Sequence, residues 1–185
     1  MLPQNEVVGK STEASGDLHN LYIKDSSIQG VGVFSGVNLP AGTILFEIKG
    51  ERVIHQEYDP YLADKNPNWM GIGYCDWIIM YPNHNGLYIN HSCNPNVIVN
   101  DKLQVVTFTP VKAHEELTMD YSTTELDPDW KMECSCGENS CRKILRSFQF
   151  LPKQIQNKYA NYIAPVFAEM ADKVLEEKSL THQST

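Results

Sequence analysis

The chain has 185 residues, 42% of them hydrophobic, which is enough for one domain with a buried core and a small appendage. Its 23 acidic and 15 basic residues give a net charge of −8, which argues against a general binder of nucleic-acid backbones. The same charge is compatible with a basic protein partner, or simply with solubility. The sequence lacks an apolar run of about eighteen residues and an N-terminal secretory signal, so neither a membrane span nor export is predicted.

The first two thirds of the chain predict short strands separated by turns. Residues 1–19 are expected to be a flexible lead-in, and residues 55–75, which are polar, aromatic and proline-containing, are expected to be an inserted loop with room for one helical turn. Two runs of strand-forming residues within 96–110, joined at 100–102, predict a β-hairpin. Further strands are predicted on each side of the glycine turn at 30–32. Two more are predicted within 38–54, one at 76–81 and one at 116–121.

The last part of the chain changes to helical patterns. Pro152 stands at a natural helix start, and apolar residues follow it at helical spacing as far as Tyr162. Pro165 must break or restart this helix. A second apolar stripe over residues 167–175 predicts a helix that packs on the domain rather than a binding surface.

Five cysteines without a secretory signal favour metal binding or catalysis over disulfides. Cys134, Cys136 and Cys141 have the spacing C-x-C-x4-C, which can wrap around one tetrahedral ion, and zinc requires a fourth ligand. Cys93, in a turn, is a better candidate for that ligand than Cys75, which adjoins an apolar strand. A competing interpretation makes Cys93 a nucleophile, but it would leave the other three thiols without a fourth ligand.

The order of four motifs resembles that of the SET-domain protein lysine methyltransferases. "GVGVF" (30–34) resembles the G-x-G motif of the family, "YINHSCNPNV" (88–97) resembles its asparagine-histidine-serine-cysteine signature, and "ELTMDY" (116–121) resembles its E-L-x-x-D-Y signature. "CSCGENSC" (134–141) resembles the cysteine-rich post-SET segment. Each motif alone is weak evidence for the family, but four motifs in this order are specific evidence for it.

The resemblance implies a mainly β fold of small curled sheets with a pseudoknot, in which the first signature is threaded through a loop that ends in the second. The implied organisation is a SET domain over 20–125, a zinc-binding post-SET segment over 126–148, a C-terminal helical extension over 149–178 and a flexible tail over 179–185. In the family, the signature cysteine completes the zinc site. The implied Zn²⁺ ligands are Cys93, Cys134, Cys136 and Cys141.

The resemblance also implies transfer of a methyl group from S-adenosyl-L-methionine to a lysine amine of a protein substrate, with S-adenosyl-L-homocysteine as the product. Tyr121 is the expected catalytic residue, because its hydroxyl would position the methyl group and the amine where they meet. It would also contact the cofactor. The other expected cofactor contacts are Gly30, Gly32, Val33, Asn90, His91 and Ile144.

Two departures from the family pattern concern the lysine channel. Ile48 stands where a tyrosine is often found, and Met119 replaces a tyrosine or phenylalanine. A thioether is a weak acceptor and a flexible side chain, so Met119 would hold water poorly and yield to an added methyl group. These residues predict that di- or trimethyllysine can be formed. A third departure, Leu87–Tyr88 in place of arginine-phenylalanine, is expected to alter packing only.

Two other classes of function compete with the methyltransferase. One is a catalytically silent SET-like module that binds a lysine-rich partner, and the other is a cysteine hydrolase built on Cys93. The expected partner is a protein with an accessible lysine, in a basic segment, without direct contact to nucleic acid or membrane. The cytoplasm is the default location, because the sequence shows no basic cluster of the kind that directs nuclear import. The nucleus is the alternative location.

Overall fold

The computed structural model describes residues 19–54, 68–73 and 76–182, so predictions made for the lead-in, for residues 55–67 and for Cys75 lie outside these ranges. Twelve short strands lie within the described residues. They are β1 (Tyr22–Asp25), β2 (Val31–Phe34), β3 (Ile44–Glu47), β4 (Gly50–Ile54), β5 (Trp69–Gly73), β6 (Asp76–Met80), β7 (Asn90–His91), β8 (Val97–Val99), β9 (Gln104–Thr107), β10 (Thr118–Met119), β11 (Lys131–Glu133) and β12 (Ile144–Arg146).

The strands form several small open sheets. β1 pairs with β2 and β11 with β12, each as an antiparallel ribbon, while the two three-stranded sheets have the orders β3-β9-β8 and β4-β6-β5. The predicted hairpin over 96–110 is confirmed as β8 and β9, whose many β-branched valines favour the extended backbone. The mainly β fold class predicted from the sequence is therefore confirmed.

β7 and β10 form the one parallel pair among the described strands and bring the two signature motifs side by side. Asn90 lies opposite Thr118, and His91 lies opposite Met119. The backbone N–H of Ser92 then donates to the carbonyl of Met119 at 3.0 Å. This pairing places the two signature motifs side by side, and the threading of one through the other stays a prediction.

Two α-helices follow the strands, as predicted. α1 (Lys153–Tyr159) begins directly after Pro152, and α2 (Pro165–His182) begins at Pro165, whose missing N–H costs nothing in the first turn of a helix. α2 runs past the boundary predicted at residue 178, since no glycine or proline occurs between Val166 and His182 to end it. Within the described residues, no helix is long and apolar enough to cross a membrane.

The interpretation of residues 55–75 as a loop is wrong for its last part, because Trp69–Gly73 forms β5. Two glycines within five residues hide this strand in the sequence. Gly71 is needed because a Cβ at this position would lie 2.5 Å from the carbonyl oxygen of Thr124. β5 thus packs against the segment that follows the second signature.

The buried apolar residues form two clusters. The larger lies among the sheets and includes Ile48, Ile89 and Met119. The smaller joins the sheets to the helices through Phe148 and Tyr159, both of them almost fully buried. The helices are therefore part of the folded domain, and the cavity described next is lined by residues of the larger cluster.

Candidate active site

The β1–β2 hairpin carries the glycines of the first motif and fits closely against the second signature. Gly30 has a φ of +51°, a conformation that glycine adopts without steric cost. A Cβ at Gly32 would lie 2.2 Å from Oε1 of Glu116, so a larger residue there would displace the Glu116 carboxylate. Glycine thus suits Gly30 by its backbone conformation and Gly32 by the approach of Glu116.

Asn90 ties this hairpin to the β7–β10 pair. Its Nδ2 donates to the carbonyl of Val31 at 3.0 Å and to Oε1 of Glu116 at 2.7 Å. The Glu116 carboxylate also accepts from the hydroxyl of Ser26 at 2.8 Å. Glu116 thus acts as a structural hydrogen-bond acceptor and holds Asn90 beside the glycine turn.

His91 is buried and neutral. Burial lowers its pKa to about 4, although the nearby Asp120 carboxylate opposes this effect. Its Nδ1 accepts the backbone N–H of Tyr121 at 3.2 Å, so the proton of the neutral ring lies on Nε2. Nε2 is 3.3 Å from Sγ of Cys93 and can donate to that sulfur. The imidazole therefore links the backbone of Tyr121 to the cysteine cluster.

Tyr121 begins a 3-10 helix (Tyr121–Thr124) directly after β10. Its hydroxyl donates to the carbonyl of Ile89 at 2.9 Å, and its ring packs edge-on against His91, with ring centroids 5.3 Å apart. Burial and the charge of Glu116 raise the pKa of the phenol, which therefore stays neutral. The hydroxyl oxygen is fixed in position and keeps lone pairs to accept a hydrogen bond.

Four cysteines converge beside this tyrosine. The Sγ atoms of Cys93 and Cys134 are 3.8 Å apart, and those of Cys134 and Cys141 are 3.6 Å apart. A tetrahedron with metal–sulfur bonds of about 2.3 Å has sulfur–sulfur edges of about 3.8 Å, so both distances suit one zinc ion. Cys136 belongs to the same group, because its Sγ lies within 4.8 Å of those of Cys93 and Cys134.

His91 and Cys141 are alternative fourth members of the cluster. The ligand atoms of His91, Cys93, Cys134 and Cys136 all lie within 4.8 Å of one another, so distance alone admits the histidine. The bond from the Tyr121 amide to Nδ1 leaves the proton on Nε2, and a protonated nitrogen cannot ligate a metal. Cys141 is the other candidate, since its Sγ lies 3.6 Å from that of Cys134 and the backbone N–H of Lys143 lowers the pKa of its thiol to about 7.

A buried ion pair joins the second signature to both C-terminal segments. The Asp120 carboxylate is fully buried and accepts two hydrogen bonds from the guanidinium of Arg142, at 2.7 and 2.5 Å. It also accepts the hydroxyl of Tyr159, from α1, at 3.2 Å. The backbone N–H of Arg142 in turn donates to Sγ of Cys93 at 3.4 Å. Sequence analysis gave Arg142 and Tyr159 no role, although Arg142 directly follows a predicted zinc ligand.

A cavity of about 420 Å³ opens on the other side of Tyr121. The two predicted channel residues, Ile48 and Met119, line it together with Tyr121. All three tryptophans of the chain line it as well. Its remaining described lining residues are Met70, Gly71, Met80, Gly86, Leu87, Ile89, Thr124, Glu125, Asp127 and Met132.

The other predicted cofactor contacts lie around the same centre. Val33 is completely buried in the core, so only its backbone is available to a ligand. Ile144 lies on β12 and is 49% exposed, which is unusual for a large apolar side chain next to the cysteine cluster. Of the predicted site residues, the structure brings His91, Ile48 and Met119 close to Tyr121. Sequence reasoning missed Glu125 and the tryptophans, because their shared cavity arises only from the tertiary fold.

The chain belongs to the SET domain family, whose model matches residues 30–122. The histone-lysine N-methyltransferase trr of Drosophila melanogaster is 32% identical over 139 residues, which are 68% of this chain and 6% of that protein. The histone-lysine N-methyltransferase ASHH3 of Arabidopsis thaliana is 27% identical over 159 residues, 78% of this chain and 43% of its own length. The chain therefore spans less than half of either relative.

A similar solved structure is that of KRYPTONITE in complex with mCHG DNA and SAH. It has a TM-score of 0.52 and 26% sequence identity, and the match covers 69% of this chain and 29% of KRYPTONITE. A second structure of KRYPTONITE, with mCHH DNA, an H3(1-15) peptide and SAH, matches equally well. These complexes agree with the SET fold predicted for this chain. The DNA is bound by KRYPTONITE, and the expected lack of nucleic-acid binding by this chain stays a prediction.

Proposed function

We propose that this chain is an S-adenosylmethionine-dependent protein lysine N-methyltransferase. The observation that carries the proposal is the position of Tyr121. Its hydroxyl, fixed on the Ile89 carbonyl, lies between the Asn90–glycine hairpin and a cavity lined by Ile48 and Met119. The names of the relatives and the SAH of the similar structures support the same reaction.

The residues around the hairpin fit the cofactor. A Cβ built at Gly30 would meet nothing within 4 Å, Asn90 presents an amide beside the glycine turn, and the exposed Ile144 offers an apolar surface suited to an adenine. When bound, S-adenosylmethionine supplies an electrophilic methyl group, and the lysine nitrogen forms a bond to that carbon as the carbon–sulfur bond breaks. S-adenosylhomocysteine leaves, and the proton of the amine passes to water.

The protein's own part in this reaction is to position and desolvate the amine. A lysine with a pKa of about 10.4 is protonated at pH 7, and an apolar channel disfavours the charged form. Ile48 and Met119 are both more than nine-tenths buried and provide such walls. The neutral Tyr121 hydroxyl can accept a hydrogen bond from the amine and so direct its lone pair.

Zinc is proposed at Cys93, Cys134, Cys136 and Cys141, where the measured sulfur–sulfur distances fit a tetrahedral site. Its role would be structural, because four protein ligands leave no open position. It would join the post-SET segment, proposed to span 126–148, to the SET domain over 20–125. The helical extension, proposed over 149–178, then packs on both through Tyr159.

The proposed substrate is a lysine side chain of a protein. The relatives carry histone in their names, and one similar structure contains an H3(1-15) peptide, so a histone tail is the first substrate to test. These names favour the nucleus over the cytoplasm, which was the default expected from the sequence.

The test is transfer of a labelled methyl group to core histones and to total cell protein. Wild type should label lysine, and Tyr121→Phe should lose at least a hundredfold in turnover while binding S-adenosylmethionine within a few fold. Tyr81→Phe is the matched control, because this tyrosine is 57% exposed and lies outside the site. A protein that neither binds the cofactor nor labels any substrate would instead be a silent SET-like module.

A further inference from the structure

Two carboxylates lie in the cavity beside Tyr121, and the proposed reaction does not use them. Glu125 and Asp127 line it, and none of its described lining residues is lysine, arginine or histidine. Neither carboxylate forms an ion pair within the described part of the chain. The cavity therefore concentrates negative charge without a positive partner.

Glu125 is held rigidly in this position. Its Oε1 accepts the backbone N–H groups of Leu126 and Asp127, each at 2.8 Å, while its own carbonyl accepts the N–H of Phe148 at 3.0 Å. Burial raises the pKa of Glu125 to about 7, so ionisation is costly in the free protein. A cation next to this carboxylate would remove much of that cost.

The rest of the cavity wall is also suited to a cation. Trp69 and Trp77 pack against each other with ring centroids 5.4 Å apart, and Trp130 lines the same space. The face of a tryptophan ring attracts cations, and arginine is the cation found there most often. Indole faces and carboxylates together are therefore complementary to a guanidinium group.

The target lysine does not account for these groups. Its nitrogen must lose a proton before it reacts, and a carboxylate beside it would favour the protonated form. The cavity, at about 420 Å³, is also too large for one lysine side chain, whose five heavy atoms need about 150 Å³ at roughly the volume of a water molecule each. A second side chain that stays charged fits better, and arginine is protonated at every physiological pH.

We propose that Glu125, with Asp127 and the surrounding tryptophans, binds an arginine side chain of the substrate that lies close to the target lysine. This inference rests on the proposed methyltransferase function and adds the substrate class, a lysine flanked by arginine. Glu125 is the extended residue directly after the 3-10 helix Tyr121–Thr124, so at roughly 2 Å per residue its backbone lies about 8 Å from that of Tyr121. Residues i and i+2 of an extended peptide are about 7 Å apart on one face, so the arginine should lie two positions from the lysine.

The experiment uses synthetic peptides with one lysine in an alanine and serine background, in which a single arginine is moved from three residues before the lysine to three residues after it. We expect kcat/KM of the wild type to be at least about tenfold higher with arginine two positions away, on one side, than without arginine. Replacing that arginine with citrulline, which has the same shape and no charge, should remove the gain. Equal rates for all peptides would overturn the proposal.

Variants then assign the effect to the carboxylate. Glu125→Gln keeps an oxygen for both backbone N–H groups, and it should reduce kcat/KM for the arginine peptide at least about fivefold more than for the peptide without arginine. Asp129→Asn removes the same charge from an exposed residue outside the cavity and should leave both rates unchanged. An equal loss on both peptides would mean that Glu125 is only structural and would refute the subsite.

The outcome of this experiment is separable from that of the proposed function. If no peptide, histone or cell protein is methylated, the methyltransferase proposal fails. If methylation occurs without any preference for arginine, that proposal stands and the subsite is wrong. If Glu125→Gln does not fold, the arginine scan and the citrulline peptide test the subsite on the wild type alone.

Discussion

Replacing Glu125 by glutamine should stabilise the free protein, and more so at higher pH. The unfolded chain releases the proton of this carboxyl near its ordinary pKa of 4.5, whereas the folded protein keeps it until about pH 7. The folded state therefore binds more protons between these values, and stability falls as the pH rises through this window. The cause is burial, with a smaller contribution from the charge of Asp127.

The size of the effect follows from the two pKa values. At 1.36 kcal/mol for each pKa unit, the raised pKa of Glu125 lowers the free energy of unfolding by on the order of 1 kcal/mol at pH 5.5 and 3 kcal/mol at pH 8.5. Glutamine has the same shape and does not titrate. We therefore expect the advantage of Glu125→Gln over wild type to grow by about 2 kcal/mol between pH 5.5 and 8.5.

Urea denaturation of both proteins at several pH values measures this difference directly, because other titrating groups cancel in the comparison. The control is Asp129→Asn, which removes an equal charge at an exposed position of the same segment. A flat difference for Glu125→Gln, or a variant less stable than wild type at pH 8.5, would refute the argument that this carboxyl is desolvated.

Three more predictions concern the metal, the buried ion pair and the product. Elemental analysis should find one zinc per chain, and Cys93→Ser should lower its occupancy; full zinc content in that variant would exclude Cys93 as a ligand. Arg142→Met should cost about 3–5 kcal/mol in urea denaturation because it leaves Asp120 buried without its cation, whereas Arg52→Met, at an exposed ion pair, should cost less than about 1 kcal/mol. Mass spectrometry at long reaction times should detect di- or trimethyllysine with the wild type and a shift toward monomethyllysine with Met119→Tyr; a wild type that stops at monomethyllysine would contradict the argument from Met119.

Local patterns in the sequence predicted the strands and the grouping of the motif residues. The 96–110 hairpin follows from alternating β-branched residues, and the break before α2 follows from Pro165. The resemblance of the motifs added what spacing alone could not supply, the proximity of Cys93 to Cys134 across 41 residues. Local chemistry and motif order were sufficient for these features.

Features that depend on packing between distant segments were not predicted. β5 was missed because its two glycines, of which Gly71 lets the Thr124 backbone approach, look like a loop in the sequence. The cavity wall was missed because Trp69 and Trp130 have no common motif or period. No sequence pattern marks Glu125, since only burial in the folded protein makes its charge costly.

The contacts of Asp120 also have a consequence for the order of folding. Asp120 binds Arg142, 22 residues later, and Tyr159, 39 residues later, so both bonds close long loops. The geometry around Asp120 therefore depends on segments that are made later than the second signature itself. A growing chain should acquire its active geometry only once α1 has been synthesised and has docked.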